Sequence, residues 1–271
     1  MIECRMPTNL LFSLTALAAL LPAAAVALRP RAGRDATYWA VMLLALAGPA
    51  LWAFVQLGGA WRTSLSTALW VTIAASMAVF AVATARAAEA WRLAALLLPY
   101  LALLGLLATL WQGWPGRPLA DPRGSAWLDA HILLAVASYA LINIAAAAGL
   151  AVFLQEQALK SKRPNRLTRL LPPIADAERI EIVLLVCSAA VLGIGVATGM
   201  AVNRAETGLW LRLDHKTLLS LLGFGVVALA LVGRFAGSLR GRRAARWVLF
   251  AWVLLTLAYP GVKFVRDVLL G

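Results

Sequence analysis

The sequence predicts an all-α polytopic membrane protein with eight transmembrane helices in one bundle, and three observations predict this class. Hydrophobic residues make up 62% of the 271 residues, the mean hydropathy is +0.83 and only 14% of residues are charged, which excludes an ordinary soluble domain. Apolar runs of about 20 residues, long enough to cross a bilayer core as a helix, occur eight times. The runs are too long for barrel strands, and in lipid each backbone polar group needs a partner within its own segment.

The runs alternate with short connections, and we expect one integral membrane domain over residues 1–271. In chain order they cover about residues 8–28, 37–57, 65–85, 93–113, 129–154, 180–202, 215–235 and 247–268. The first run ends in small residues, so a cleaved signal peptide is an alternative for it. Arg29, Arg31 and Arg34 follow immediately and favour a retained span, because a basic cluster at that point anchors a helix.

The basic residues predict the orientation of the bundle. Of the 25 Lys and Arg residues, 16 lie in the first, third, fifth and seventh connections and nine lie on the other side. Cytoplasmic loops are enriched in Lys and Arg, so both termini are expected outside. The expected location is a bacterial inner (plasma) membrane. The net charge of +13 therefore reflects orientation. Nucleic-acid binding is not expected, because no aromatic or folded reading surface accompanies the arginines at 240–246.

The central parts of the apolar runs hold no Asp, Glu, Lys or Arg. Intramembrane charges usually mark ion or proton pathways, so a pump or secondary transporter is disfavoured. Lys263 and Asp267 lie at the end of the last run, four residues apart, and are expected to pair while reaching the surface. Cys4 and Cys187 form no Cys-x-x-Cys pair. No nucleophile stands at a useful spacing from a base, and we do not expect an enzyme.

The two histidines of the chain fall at one predicted level of the membrane. His131 lies near the start of the fifth run and His215 opens the seventh, so both are expected at the outer surface. Imidazole is a common metal ligand, and two imidazoles on facing helices can ligate a haem iron from both sides. A histidine at a helix end is more often only an interfacial residue. The two residues by themselves leave both interpretations open.

The surroundings of the histidines favour haem over zinc. Trp127 and Trp210 are the predicted aromatic walls, and Asp129 or Asp214 is expected to orient a ligand imidazole through its second nitrogen. The candidate cations for haem propionates are Arg204, Arg212, Lys216, Arg117 and Arg123. A tetrahedral zinc site that uses the two aspartates remains an alternative. Because the chain has no Cys-x-x-Cys-His, the expected cofactor is noncovalent haem b.

Three motifs in the second half of the chain resemble one known family. They are Ser125-Ala-Trp-Leu-Asp-Ala-His131 with Ser138-Tyr139-Ala-Leu, Ile194-Gly195 to Gly199 with Asn203, and Trp210 with Asp214-His215-Lys216-Thr217. The first is similar to the Ser-x-Trp-Leu-x-x-His helix of CcsA/ResC-like haem-handling membrane proteins of the cytochrome c assembly family. The second resembles their glycine-containing span. The third stands where they have a tryptophan-rich external motif. The resemblance covers residues 114–268.

The departures from the family pattern point to one branch of the family. The tryptophan motif is reduced, and Val232-Gly233-Arg234 and Phe264-Val265-Arg266 occupy the places of the family's later histidines. The chain therefore looks like the small eight-span HemX/YpjD-like branch. This resemblance implies haem bound between His131 and His215, and a role in cytochrome c assembly or haem homeostasis. Other proteins of cytochrome c maturation or of the haem pathway are its implied partners.

Two other functions stay open from the sequence. A regulatory or scaffold protein would use the basic cytoplasmic loop 155–179, although attraction to membrane lipids also explains that charge. A transport auxiliary would move haem between its helices. The small residues Ala145 to Gly149 in the fifth run are a candidate surface for association of two protomers, and the sequence leaves the oligomeric state open.

Overall fold

The computed structural model describes residues 6–29, 33–57, 62–113, 117–118, 126–211 and 214–265. Within these ranges, eight helices are long and apolar enough to cross a membrane. The prediction of an all-α polytopic membrane protein with eight spans is therefore confirmed. The helices are α1 (Met6–Ala27), α2 (Ala36–Leu57), α3 (Leu65–Arg86), α4 (Ala94–Leu110), α5 (Ala126–Ser161), α6 (Arg166–Leu170), α7 (Ile174–Thr207), α8 (His215–Phe235), α9 (Gly241–Thr256) and α10 (Val262–Phe264).

Short irregular elements complete the chain. A 3-10 turn, Ala90–Leu93, leads into α4, and a π turn, Leu257–Gly261, joins α9 to α10 so that the two helices form one span. Strands β1 (Arg62–Thr63) and β2 (Arg117–Pro118) pair antiparallel. These strands belong to the second and fourth connections. Their pairing places both connections at the same end of the bundle, as the predicted topology requires.

Polar caps mark where several helices begin and end. Ser64 Oγ accepts the Thr67 N–H at 3.1 Å at the start of α3. Asn165 Oδ1 accepts the Thr168 N–H at 2.8 Å at the start of α6. Helix α7 ends at Gly208, whose positive φ of 76° suits a residue without a side chain. These contacts satisfy backbone groups that the helix itself leaves unpaired.

The core is formed where α3, α4 and α5 meet. Trp70, Ile73, Met77 and Phe80 of α3 are fully buried. Leu97, Leu98 and Leu101 of α4 and Ile142 and Ile144 of α5 complete this cluster. Helix α1 joins it through Leu20, and Ser13 of α1 accepts a hydrogen bond from the Trp52 indole N–H at 3.0 Å. The first helix is thus an integral part of the described bundle.

Helix α5 is the central element, and small residues allow its neighbours to approach closely. Ala145 and Ala148 are fully buried. A Cβ atom at Gly149 would lie 3.1 Å from Glu181 Oε1 of α7 and 3.6 Å from the Cα atom of Ala245 in α9. The stripe that the sequence offered as a surface between protomers therefore packs inside the single chain.

Two helices are longer than the apolar runs indicated. Helix α5 has 36 residues and α7 has 34, against predicted spans of 129–154 and 180–202. At 1.5 Å per residue these helices are about 54 Å and 51 Å long, well beyond a hydrocarbon core of about 30 Å. The predicted bounds were too short because charged residues end an apolar run without ending a helix.

Much of the predicted loop 155–179 is therefore helical or fixed. Gln155 Nε2 donates to the carbonyl oxygens of Thr168 at 2.9 Å and Pro172 at 3.2 Å, and Leu171 is buried. The six basic residues of this loop are exposed: Lys160, Lys162, Arg163, Arg166, Arg169 and Arg179. The loop thus presents its positive charge on an ordered segment.

Candidate ligand pocket

A cavity of about 440 Å³ lies between α5, α7, α8 and the span formed by α9 and α10. It is near the ends at which α5 and α8 begin, and we call this end of the bundle the pocket end. The apolar lining residues include Leu128, Ile132, Leu192, Val196, Leu221 and Leu255. Polar lining residues include His131, Asn203, Asp214, Thr217, Tyr259 and Lys263. The cavity is therefore amphipathic and suits a largely apolar ligand that carries polar groups.

His131 lies in the cavity wall, and its ring is held by α7. Its Nδ1 lies 3.0 Å from the carbonyl oxygen of Gly195 and 3.4 Å from Thr198 Oγ1. Thr198 Oγ1 donates to the same carbonyl at 3.0 Å. A carbonyl can only accept, so Nδ1 carries the proton in this hydrogen bond. The tautomer with its proton on Nδ1 has its ligating lone pair on Nε2.

The glycines of α7 make room for this ring. A Cβ atom at Gly199 would lie 2.9 Å from Cε1 of His131, a distance that real Cβ contacts do not reach. Gly195, Gly199 and Asn203 follow one another at four-residue intervals and all line the cavity. The α7 motif and the α5 motif of the sequence therefore meet at one site. Tyr139, from the second part of the α5 motif, lines the cavity as well.

The third motif contributes the α8 wall. Asp214 accepts the Thr217 N–H at 2.7 Å and caps α8, and both residues line the cavity. His215 is the first residue of α8, between these two lining residues. The side chains of His215 and Lys216 lie outside the described residues, as does Arg212. The backbone thus brings the two histidine positions to one end of the bundle, as predicted.

For His131, the predicted role of the aspartates is corrected. Asp129 or Asp214 was expected to orient a ligand imidazole, but the acceptor at Nδ1 of His131 is the Gly195 carbonyl, whereas the side chain of His215 lies outside the described residues. Asp214 serves as the cap of α8, and Asp129 is exposed outside the cavity lining. Among the described residues, no group of three or more His, Cys, Asp or Glu side chains is placed to share a metal ion. The zinc alternative gains no support from them.

Of the predicted tryptophans and cations, some lie at the cavity and others do not. Trp210 lines the cavity, and the Arg204 guanidinium lies 5.6 Å from its ring centroid and also donates to the Gly208 carbonyl. Trp127 is 59% exposed and lies outside the cavity lining, so the prediction that it forms a wall is wrong for this structure. Its position in the first turn of α5 precedes the first lining residue, Leu128. Arg123 and the side chain of Arg117 lie outside the described residues.

The sequence analysis missed the contribution of the last span. Lys263, expected to pair with Asp267 at the surface, lines the cavity, and its Nζ lies 5.9 Å from the Tyr259 ring centroid. Asp267 is outside the described residues. The spacing of Tyr259 and Lys263 by four residues is the signal that could have shown a shared helical face.

A buried ion cluster at the opposite end of the bundle was also missed. Arg234 of α8 pairs with Glu178 and Glu181 of α7 at 3.2 Å each, and the Gly241 N–H donates to Glu178 Oε1 at 2.8 Å. The Arg234 and Glu181 side chains are only 5% and 1% exposed. These residues lie near helix ends, and the sequence argument considered only the central parts of the apolar runs. This cluster joins α7, α8 and α9 at the end of the bundle opposite the cavity.

The fold and the cavity define a class: a multi-pass membrane protein with an amphipathic pocket at one end of its helical bundle. A family model described as "Cytochrome C assembly protein" matches residues 36–270, a longer range than the region 114–268 on which the resemblance was based. The chain belongs to the cytochrome c assembly protein family, which assigns it a role in cytochrome c biogenesis and connects it with haem handling.

A curated relative is similar to this chain over nearly its whole length. It is named "Uncharacterized 28.8 kDa protein in nifR3-like 5'region" and comes from Azospirillum brasilense. The two sequences are 53% identical over an alignment of 271 positions, which covers 98% of this chain and 100% of the relative. No solved structure matches the chain.

Proposed function

We propose that this protein holds haem b noncovalently in the cavity, where His131 and His215 would ligate its iron, in a bacterial inner membrane. Its role would be to carry, store or sense haem in cytochrome c assembly or haem homeostasis. The observation that carries this proposal is the His131 imidazole in the cavity wall, held through Nδ1 by the Gly195 carbonyl. Metal-bound histidines commonly donate their other N–H to a carbonyl in this way.

The residues present fit such a group. The volume of about 440 Å³ lies within the range of about 300–1,000 Å³ that is typical of cofactor pockets. Leucine, isoleucine and valine side chains would contact the macrocycle, and Trp210 would cover one edge. When bound, haem supplies a redox-active iron. The protein's own part is to bind and orient the macrocycle and to limit the access of water. This proposal requires no catalytic residue in the chain.

Absorption spectra of the purified protein in detergent, oxidised and reduced, test the proposal. With haem added, the wild-type protein is expected to give a bis-histidine Soret band. His131→Ala and His215→Ala should each weaken that band, because each removes one axial ligand. Trp127→Ala is the matched control from the same end of the bundle, and it should keep the spectrum because Trp127 lies outside the cavity lining. Unchanged spectra in both histidine variants would overturn the ligand assignment.

A second candidate, a regulatory or scaffold role, is supported by the ordered basic loop. Its six exposed cations sit on a segment that the Gln155 side chain fixes. A partner with an acidic surface would find the charges in a constant arrangement, and so would anionic lipid headgroups. Pull-down from detergent extracts with the intact chain and with Gln155→Ala separates the two. A protein partner should be lost when the loop is loosened, whereas attraction to lipid depends mainly on charge.

A further inference from the structure

The Nδ1 side of the His131 ring faces two oxygen atoms of α7. One is the carbonyl oxygen of Gly195 at 3.0 Å, and the other is Thr198 Oγ1 at 3.4 Å. Thr198 is buried, with 9% of its surface exposed, and it is not among the described residues that line the cavity. It therefore lies behind the ring, and any effect of its hydroxyl on a bound ligand passes through His131.

The direction of the hydrogen bonds gives this hydroxyl a specific part. Thr198 Oγ1 donates its single proton to the Gly195 carbonyl at 3.0 Å, so its lone pairs are left to accept from Nδ1–H of His131. A hydroxyl that donates one hydrogen bond becomes a stronger acceptor for another. Nδ1–H is thus shared between two acceptors that are themselves hydrogen-bonded to each other.

The Gly195 carbonyl has several donors around it. In an α-helix the carbonyl of residue 195 also faces the backbone N–H of residue 199. A carbonyl oxygen has two lone pairs, whereas the helix N–H, the Thr198 hydroxyl and the imidazole supply three donors. The hydroxyl oxygen of Thr198 adds the lone pair that the ring N–H would otherwise lack.

We infer that Thr198 is a positioning residue for His131: its hydroxyl is the second acceptor of Nδ1–H, and it fixes the orientation of the imidazole against α7. Where haem is concerned, this inference rests on the proposed function and deepens it. An acceptor at the distal N–H makes an imidazole a more basic ligand, and hydrogen bonds of this kind tune the reduction potential of an iron site. Thr198 would then lower the potential of bound haem without touching it.

The first test uses the full chain without haem. The chain has only two histidines, so isotopic labelling of histidine nitrogen in a His215→Ala background leaves the ring signals of His131 alone. By NMR in detergent, the Nδ1–H proton is expected to be protected from exchange with water. Thr198→Val has nearly the same volume without the hydroxyl, and it should speed this exchange about fivefold because one hydrogen bond is lost. Thr198→Ser keeps the hydroxyl and should keep the slow rate.

The second test measures the reduction potential of the haem-loaded protein with both histidines present. Thr198→Val should raise the potential, because the imidazole becomes a less basic ligand, and Thr198→Ser should not. The Soret position should stay the same in both variants, since neither removes a proposed ligand of the iron.

Thr109 offers a matched control in α4. It is also 9% exposed, and its hydroxyl donates to the carbonyl of another glycine, Gly105, at 2.8 Å. It is not among the described residues that line the cavity. Thr109→Val removes the same kind of buried hydroxyl, and it should change neither the exchange of the His131 proton nor the reduction potential.

The outcomes separate this inference from the proposed function. A wild-type exchange rate in Thr198→Val, or an equal acceleration in Thr109→Val, overturns the role of Thr198. Thr198→Ala and Thr198→Ser differ only in the hydroxyl, and they give the same comparison if valine disturbs the packing of α7. If the wild-type protein gives no Soret band with haem, the proposed function is overturned, and the exchange rates still decide the role of Thr198 in the protein without haem.

Discussion

Gly199 lies where any side chain would collide with His131. An added Cβ atom would come within 2.9 Å of Cε1 of the ring, whereas at Gly195, one turn earlier, the nearest atom would be Leu134 Cβ at an ordinary 3.7 Å. The position of the imidazole thus depends on a missing side chain on the neighbouring helix. In the sequence, Gly199 gives no indication that it makes room for the His131 ring.

This contrast between two glycines of one helix gives the first prediction. Gly199→Ala should displace the His131 ring and weaken haem binding by about tenfold or more, since the ring must leave its hydrogen bond of about 1 kcal/mol and accept strain. Gly195→Ala keeps the backbone carbonyl that His131 uses and adds a Cβ atom in ordinary contact with Leu134, so it should weaken binding much less, although both variants gain helix propensity equally. Haem titration followed by the Soret absorbance measures the difference. Equal affinities for the two variants would contradict the assigned ring position.

At the residue scale the sequence predicted part of the pocket. His131, Trp210 and Asp214 were named from motif and position, and all three line the cavity. Lys263 was predicted to lie at the surface, because the sequence does not reveal the π turn that contains Pro260 and precedes Lys263. The acceptor for His131 was also missed, since it is a backbone carbonyl of Gly195, and a carbonyl has no side-chain signature.

At the scale of elements, the ion cluster is the contact that holds the far ends of α7 and α8 together. Arg234 is placed between Glu178 and Glu181, and the Gly241 N–H adds the start of α9 to the same group. Most of α8 faces outward with exposed apolar residues, among them Leu218, Leu222, Leu229, Val232 and Phe235. A helix so exposed to lipid depends on polar contacts at its ends for its place in the bundle.

The second prediction belongs to the scale of elements and concerns removal of the shared arginine. Arg234→Met should lower stability by about 3–5 kcal/mol, because it leaves the buried Glu181 charge without its partner. Arg243→Met, which removes an exposed arginine of α9, should change stability by no more than about 0.5 kcal/mol. Thermal unfolding in detergent, followed by circular dichroism, measures both. The double variant Arg234→Met with Glu181→Gln should recover part of the loss, and its failure to do so would contradict the charge explanation.

The existence of the spans was predictable, and their ends were not. Hydropathy responds to the absence of charge, so it located all eight spans. The fifth span predicted from hydropathy ended at residue 154, whereas helix α5 continues to Ser161. Outside the hydrocarbon core a helix is kept by caps and side-chain contacts such as the Asn165 cap and the Gln155 contacts, which a hydropathy average does not represent.

For the whole molecule, the two ends of the bundle differ in chemistry. The pocket end holds His131, the paired strands and the amphipathic cavity, whereas the opposite end holds the ion cluster and the ordered basic loop. Positive charge follows the cytoplasmic side of membrane proteins, so the pocket end is predicted to face outward. A ligand would then enter the cavity from the outer side of the membrane.

The orientation can be tested by labelling single cysteines with a membrane-impermeant maleimide in intact bacterial cells. Thr207 lies at the pocket end of α7 and Ser161 at the opposite end of α5, and both are exposed. In a background with Cys4→Ser and Cys187→Ala, Thr207→Cys should be labelled in intact cells. Ser161→Cys should be labelled only after the membrane is opened. The reverse pattern would place the pocket in the cytoplasm, because a bundle of eight spans with both termini on one side has only two possible orientations.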